Sequence, residues 1–220
     1  MANRTMPDLL NMSGRVAIVT GGGTHLGTAF TEAMAELGAH VYIASRRAEL
    51  CEETASNLRS QNLKVTALSC DVTEESSVNA LVDQVMKKEG RLDVFVANAG
   101  GSNTTAHAPH GDVDEFRWTL EKNLTSTFIC AQAAGRVMIP QKSGSIITLG
   151  SIASRLASDP RIYNENFKRS GAPYMAAKAG VLVLTKALAA EYSPHGVRVN
   201  CICPGQIPND KTDKNQVEKF

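Results

Sequence analysis

Residues 15–47 read RVAIVTGGGTHLGTAFTEAMAELGAHVYIASRR, and the changes of pattern inside that stretch decide the fold. Arg15–Thr20 is a short run that is apolar on both parities, as a strand covered on both faces of a parallel sheet would be. A glycine-rich turn follows, Thr20-Gly21-Gly22-Gly23-Thr24-His25-Leu26-Gly27. Apolar residues then fall at Leu26, Ala29, Phe30, Ala33, Met34 and Leu37, the stripe of a helix that rests one face on a sheet, and Gly38 is its stop. His40–Ser45 opens a second apolar run.

The same alternation continues outward. Lys64–Cys70, Leu92–Asn98, Ser145–Gly150 and Arg198–Ile202 read as further strands. Val78, Leu81, Val82, Val85 and Met86 mark a helix with Glu74 and Glu75 at its start and Lys87 and Lys88 at its end, as the helix dipole favours. Helices are also expected from about Asp114 to Met138 and from about Tyr174 to Tyr192. Strands and helices in this order predict right-handed crossovers and one α/β domain over residues 1–220, a doubly wound parallel sheet of Rossmann type in three αβα layers. In such a sheet ligands bind outside the carboxyl ends of the strands. Two long polar loops, Gly100–Asp112 and Ser154–Pro173, stand at that end.

Bulk composition narrows the function classes. The chain has 220 residues, 23 Lys and Arg against 22 Asp and Glu, and a formal charge of +1. That balance, with no basic tract, argues against nucleic acid as a partner. Cys51, Cys70, Cys130, Cys201 and Cys203 are scattered and odd in number, which fits a reducing cytoplasm better than a disulfide framework. Cys201 and Cys203 would face one side of a strand, but no second Cys or His cluster joins them, so no metal site is expected. No apolar stretch approaches the roughly 20 residues of a membrane span, and no leader is evident.

The strand ends carry the candidate cofactor residues. Glycines at Gly21 and Gly27, with Thr24, His25 and Leu26, would let backbone N–H groups and a helix N-terminus approach a pyrophosphate; tight turns also use glycine for steric reasons alone. The second strand ends in Ser45-Arg46-Arg47, where an acid would accept from a ribose 2′-hydroxyl and arginine pairs with a 2′-phosphate. Arg46 and Arg47 without an acid favour NADP(H) over NAD(H). A solvated arginine pair is the plainer alternative. Asp71 and Val72 are placed to touch adenine, and Asn98-Ala99-Gly100 leaves room for the nucleotide. Pro204, Gly205 and Ile207 follow the last strand, where a loop would line the nicotinamide.

Tyr174 and Lys178 stand at i and i+4 on one helix face. A phenol ordinarily titrates near 10; a nearby ammonium and an oxidised nicotinamide both favour phenolate and lower the pKa toward the working range for proton exchange. A Tyr–Lys pair at this spacing is also ordinary on helix surfaces. Ser151 follows the fifth strand, where a hydroxyl would hold a substrate carbonyl. Asn123 lies inside the long helix, where an amide can kink the helix or anchor a water.

These motifs, in this order from about Arg15 to Ile207, resemble the short-chain dehydrogenase/reductase family. The turn resembles TGxxxGxG, Asn98-Ala99-Gly100 resembles NAG, and Tyr174 to Lys178 resembles YxxxK. The resemblance implies that Tyr174 is the general acid/base, that Lys178 binds the nicotinamide ribose and lowers the tyrosine pKa, that Ser151 orients the carbonyl or alcohol, and that Asn123 supports a water-mediated proton relay. It implies a small-molecule carbonyl or alcohol substrate and a homo-oligomer, a dimer or tetramer built on the two long helices. A catalytically silent NADP(H)-binding sensor or scaffold is the competing reading; a purely structural interaction domain has little support.

Three departures stand out. His25 occupies the place of the middle glycine and is expected to add a phosphate contact. The interval from Ser151 to Tyr174 is longer than the family's, with Asp159, Arg161, Tyr163, Asn164, Glu165, Asn166, Lys168 and Arg169 in the excess; such a polar segment suits a polyol or sugar-like substrate, or equally a solvated or subunit-contacting loop. After Gly205 the chain passes into the charged stretch Asp210–Phe220 without a seventh apolar strand. A truncated, incomplete or unusually short member is expected, with the sixth strand at an edge.

Overall fold

The computed structural model describes residues 6–102, 109–157, 159, 161 and 170–208. After a short helix α1 (Met6–Leu10), six strands appear in chain order: β1 (Val16–Thr20), β2 (His40–Ser45), β3 (Val65–Ser69), β4 (Val94–Ala97), β5 (Gly144–Leu149) and β6 (Val197–Ile202). They form one sheet in the order β3-β2-β1-β4-β5-β6, and every pairing is parallel. The order reverses between β1 and β4, so the crevice expected of a doubly wound sheet opens above that pair.

The helices are α2 (His25–Glu36), α3 (Ala48–Ser60), α4 (Glu75–Glu89), α5 (Val113–Leu120), α6 (Ser126–Gln141) and α7 (Ala172–Tyr192). Strand parity sorts them into two layers. Ala17, Val19, Val41, Ile43 and Val96 point toward α2 and α3, where they meet Ala35, Cys51, Ala55 and Leu58. Ile18, Tyr42, Ala44, Phe95 and Ile146 point the other way, toward Val78, Leu81, Val82 and Val85 of α4, Cys130 and Ala134 of α6 and Leu188 of α7. Full burial of one such aliphatic or aromatic side chain contributes about 1.5–3 kcal/mol. β6 departs from the two-sided pattern: Val197 and Val199 are buried, whereas Arg198 and Asn200 are exposed.

The short α1 and α3 had no forecast of their own. The residues α3 buries, Cys51, Ala55 and Leu58, include only one large side chain, a weak stripe to read in sequence. The helix expected over 114–138 is broken by a π-helical turn at Glu121–Thr125 and then runs on to Gln141. Extra hydroxyls accommodate that turn: Ser126 Oγ donates to the Lys122 carbonyl and Thr127 Oγ1 to the Asn123 carbonyl, each at 2.7 Å. Of the expected substrate-loop residues, Tyr163, Asn164, Glu165, Asn166, Lys168 and Arg169 lie outside the described residues, as does the charged stretch 209–220.

At the amino end of the strands, Asp93 ties β1 to β4. Its carboxylate accepts from the Val16 N–H at 2.9 Å, from Arg15 at 2.8 Å, and from two nitrogens of Arg91 at 2.8 and 2.6 Å. Burial alone would raise its pKa, but bonds from Arg91, Val16 and Arg15 outweigh that and hold the carboxyl below its ordinary value. A depressed carboxylate stabilises fully above its unfolded pKa, and the contribution is lost as pH falls through its folded pKa. Asp93→Ala leaves the Val16 N–H without its partner and is expected to cost about 1–3 kcal/mol in urea unfolding at neutral pH. The gap from wild type should narrow on acidification below the usual carboxylate range.

Candidate active site

Glycine is required where β1 turns into α2. Gly21 has φ +67°, and a Cβ on Gly27 would stand 2.0 Å from the Gly21 carbonyl oxygen. Any side chain at Gly27 would therefore push the start of α2 away from the turn. His25 also has a positive φ, 46°, in the region that suits the glycine it replaces in the motif; a non-glycine residue there costs about 1–2 kcal/mol. The turn is stitched to β4: Asn98 Nδ2 donates to the Thr20 carbonyl at 2.9 Å, and Thr20 Oγ1 accepts from the N–H groups of Asn98 and Ala99 at 3.1 and 3.2 Å.

A cavity of about 640 Å³ opens above these strand ends. Among its lining residues are the expected Gly21, Thr24, His25, Leu26, Arg46, Arg47, Asp71, Val72, Asn98, Ala99 and Gly100. Gly27 is buried beneath them. Arg46 stands 3.9 Å from Asp71, and Asp71 also accepts from the N–H and hydroxyl of Thr73 at 3.0 and 2.7 Å. Burial opposes charge on Asp71, yet the Thr73 bonds and Arg46 hold its pKa below the usual value. Trp118 and Lys122 line the same cavity, and sequence reading missed both. Their spacing of four was visible, but nothing marked that helix face as lining a cleft. Pro204, Gly205 and Ile207 are not among the residues of this cavity. The Pro204 carbonyl accepts from the Ile152 N–H at 2.8 Å instead, beside Ser151.

A second group meets this cleft at Gly100. A Cβ there would come 2.7 Å from Asn123 Oδ1 and 3.6 Å from Lys178 Nζ. The Asn123 amide is bonded at both ends: Oδ1 accepts from the Gly101 N–H at 2.9 Å, and Nδ2 donates to the Gly101 and Thr119 carbonyls at 3.0 and 2.9 Å. Asn123 thus clamps the Gly100–Gly101 segment.

Lys178 is 4% exposed, and its Nζ donates to the Leu149 carbonyl at 2.6 Å. It sits 5.7 Å from the centre of the Tyr174 ring. Ser151 extends β5 and starts a 3₁₀ turn at Ile152–Ser154. Its Oγ accepts from the Ala153 N–H at 3.1 Å and stands near enough to the Tyr174 phenol to lower its pKa. Ser154 Oγ, by donating to the Lys178 carbonyl at 2.9 Å, fastens this turn to α7. Tyr174, Lys178 and Ser151 are therefore brought together. Cys201 and Cys203 face one side, their sulfurs 3.8 Å apart, and a Cβ on Gly150 would come within 2.9 Å of each.

Burial raises the Tyr174 pKa, and the nearby Ser151 offsets this only in part. Burial also lowers Lys178 to about 8. Tyr174 is thus a protonated donor at neutral pH, and Lys178 is an amine that holds its proton only weakly.

The family described as short chain dehydrogenase matches residues 15–219. The chain is 34% identical over 215 residues to a sorbose reductase of Candida albicans, covering 94% of this chain and 71% of that protein. It is 35% identical over 212 residues to an NADP-dependent mannitol dehydrogenase of Alternaria alternata, covering 94% and 76%. The crystal structure of gox2181 superposes with a TM-score of 0.85 at 35% identity, covering 91% of this chain and 75% of that one. A short-chain type dehydrogenase/reductase of Mycobacterium marinum gives 0.84 at 33%, covering 91% and 76%. Among the described residues no helix is long and apolar enough to cross a membrane.

A lysine whose pKa is lower folded than unfolded makes the unfolded chain bind more protons between about pH 8 and 10.5, so stability rises with pH through that window. The buried ammonium costs the fold most at neutral pH. Lys178→Met is therefore expected to stabilise the protein at pH 7 by about 1–2 kcal/mol, the relief of burial less the lost bond to Leu149. Denaturant unfolding at pH 7 and pH 10 should show that advantage shrinking at the higher pH.

Proposed function

The chain belongs to the short-chain dehydrogenase family, which makes it an oxidoreductase that interconverts carbonyls and alcohols, and from that premise we propose that it uses NADP(H) with Tyr174 exchanging the proton. The observation that carries this reading is the convergence of Tyr174, Ser151 and Lys178 beside Gly100, at the rim of the strand-end cavity.

The cavity's own residues fit a dinucleotide. Gly21 and Gly27 let the turn pack tightly against Asn98 and Ala99, and Thr24, His25 and Leu26 at the start of α2 line the cavity, where a helix N-terminus suits a diphosphate. Arg46 and Arg47 would hold a 2′-phosphate, Asp71 and Val72 the adenine, and Asn98 and Ala99 the walls between. Pro204, Gly205 and Ile207 belong to the nicotinamide side in this reading. When bound, the nicotinamide supplies or accepts the hydride.

The chain's residues handle the proton and the geometry. Ser151 is held in place by the Ala153 N–H, and its hydroxyl, set beside the Tyr174 phenol, would turn its proton to the substrate oxygen. Tyr174, kept protonated by burial, gives its proton to the same oxygen in reduction and takes it back in oxidation. Lys178 is fixed by the Leu149 carbonyl and offers its remaining donors to the ribose and the phenol. Asn123 acts one step back, by pinning Gly101. Positioning of this kind supplies much of the rate gain.

A polyol or sugar-like substrate is our choice of class. The sorbose reductase and mannitol dehydrogenase relatives and the polar residues between Ser154 and Pro173 support it. Phe128 and Val183, exposed on α6 and α7, favour a homo-oligomer paired through those helices.

Tyr174→Phe is expected to cut turnover by about two to four orders of magnitude while NADPH binding by calorimetry stays near wild type. Retention of most of the rate would remove Tyr174 as the acid. Arg46→Asp should shift the ratio of NADPH to NADH affinity toward NADH; an unaltered ratio would take Arg46 out of the site.

A further inference from the structure

The cleft carries more positive charge on its adenosine side than a diphosphate bound by backbone N–H groups calls for. Arg46, Arg47 and Lys122 all line it, and Asp71 is the one carboxylate among its lining residues. Asp71 is already engaged with Thr73 and Arg46. Two cationic charges are thus in surplus, and the diphosphate has the glycine turn and the start of α2 for its own neutralisation.

Lys122 is the least expected of the three. It lies in the π-helical turn, half-buried, immediately before the inward-pointing Asn123. Its Nζ lies 3.8 Å from where a Cβ on Gly101 would stand, which puts the ammonium at the mouth of the cleft rather than out along the helix. Among the described residues no carboxylate comes within salt-bridge distance of it, and burial together with the charge of Arg46 lowers its pKa. A half-buried cation that shares its space with another cation is costly unless an anion joins them. Trp118, one helical turn earlier, exposes its ring on the same cavity.

We propose that Lys122 is a cofactor-specificity residue whose ammonium, with Arg46, pairs with the 2′-phosphate of NADP(H), beside an adenosine wall formed by Trp118. The inference rests on the NADP(H) reading above and adds a residue to it. A lone diphosphate-binding role would make Lys122 indifferent to the 2′ substituent. A 2′-phosphate contact makes it selective, and that difference can be measured without turnover.

Trp118 is the single tryptophan of the chain, so tryptophan fluorescence reports this wall directly. Wild type, Lys122→Met and Lys122→Arg would each be titrated with adenosine 2′,5′-bisphosphate and with 5′-AMP, with calorimetry in parallel. Lys122→Met keeps the apolar stem and removes the charge. It is expected to weaken the bisphosphate about tenfold, as loss of one charge-assisted contact does, and to leave 5′-AMP nearly unchanged. Lys122→Arg, which keeps the charge and serves as the control should the methionine variant fold poorly, is expected to retain most of the affinity. Equal weakening of both ligands in Lys122→Met, or of neither, would overturn the role of Lys122. Calorimetric binding of the bisphosphate without any fluorescence change would overturn the role of Trp118. A wild type that binds 5′-AMP as tightly as the bisphosphate would instead overturn the NADP(H) reading itself, a failure visible before any variant is made.

Discussion

Lys178 reaches into the protein to meet a single backbone carbonyl, that of Leu149, and this bond fixes how α7 sits on the end of β5. An amine in that position is poorly hydrated, so it resists charge unless other oxygens approach. The phenol one turn earlier on the same helix is carried along with it, and the Ser151 hydroxyl, one peptide beyond Gly150, falls within reach of that phenol. A shift of α7 along the strand end would undo all three relations together. The bonds from the Ser154 hydroxyl to the Lys178 carbonyl and from the Gly150 N–H to the Ile202 carbonyl hold the same region from the other side.

Close packing, rather than an open gap, joins the two halves of the site. Gly100 lacks the one atom that would collide with the Asn123 amide, and this lets the β4 end lie against both the π-helical turn and Lys178. The same helical irregularity sets Asn123 inward and leaves Lys122 at the cleft. A regular α-helix through 121–125 would have to sacrifice one of these placements. Such local departures from ideal geometry concentrate at functional sites because the surrounding fold offsets their cost.

Much of this was legible in the chain. Strands buried on both faces announce themselves as unbroken apolar runs, and all six expected strands are present with ends within two residues of those expected. The glycine turn, the arginines after β2 and the Tyr174–Lys178 pair were visible because each depends on local chemistry at a strand or helix end. What escaped depends on tertiary contact. Trp118 and Lys122 look like ordinary helix surface until β2, β3 and β4 bring a cleft to them. The burial of Tyr174 escaped for the same reason, since burial is a property of the whole assembly. α3 was faint because Cys51 and Ala55 are small, and the π turn has no residue signature beyond its compensating hydroxyls.

The sheet order has a consequence for synthesis on the ribosome. β1 occupies the middle of the sheet, yet it is the first strand to emerge, and it can find β2 soon afterwards. Its other edge waits for β4, as the bond from Val16 to Asp93 across 77 residues makes plain. Until that length of nascent chain is clear of the exit tunnel, the central strand carries one unpaired, strongly apolar edge. Closure of distant parallel pairs is slow, so the most buried element of the finished protein is also the one longest in need of protection while the chain is being made.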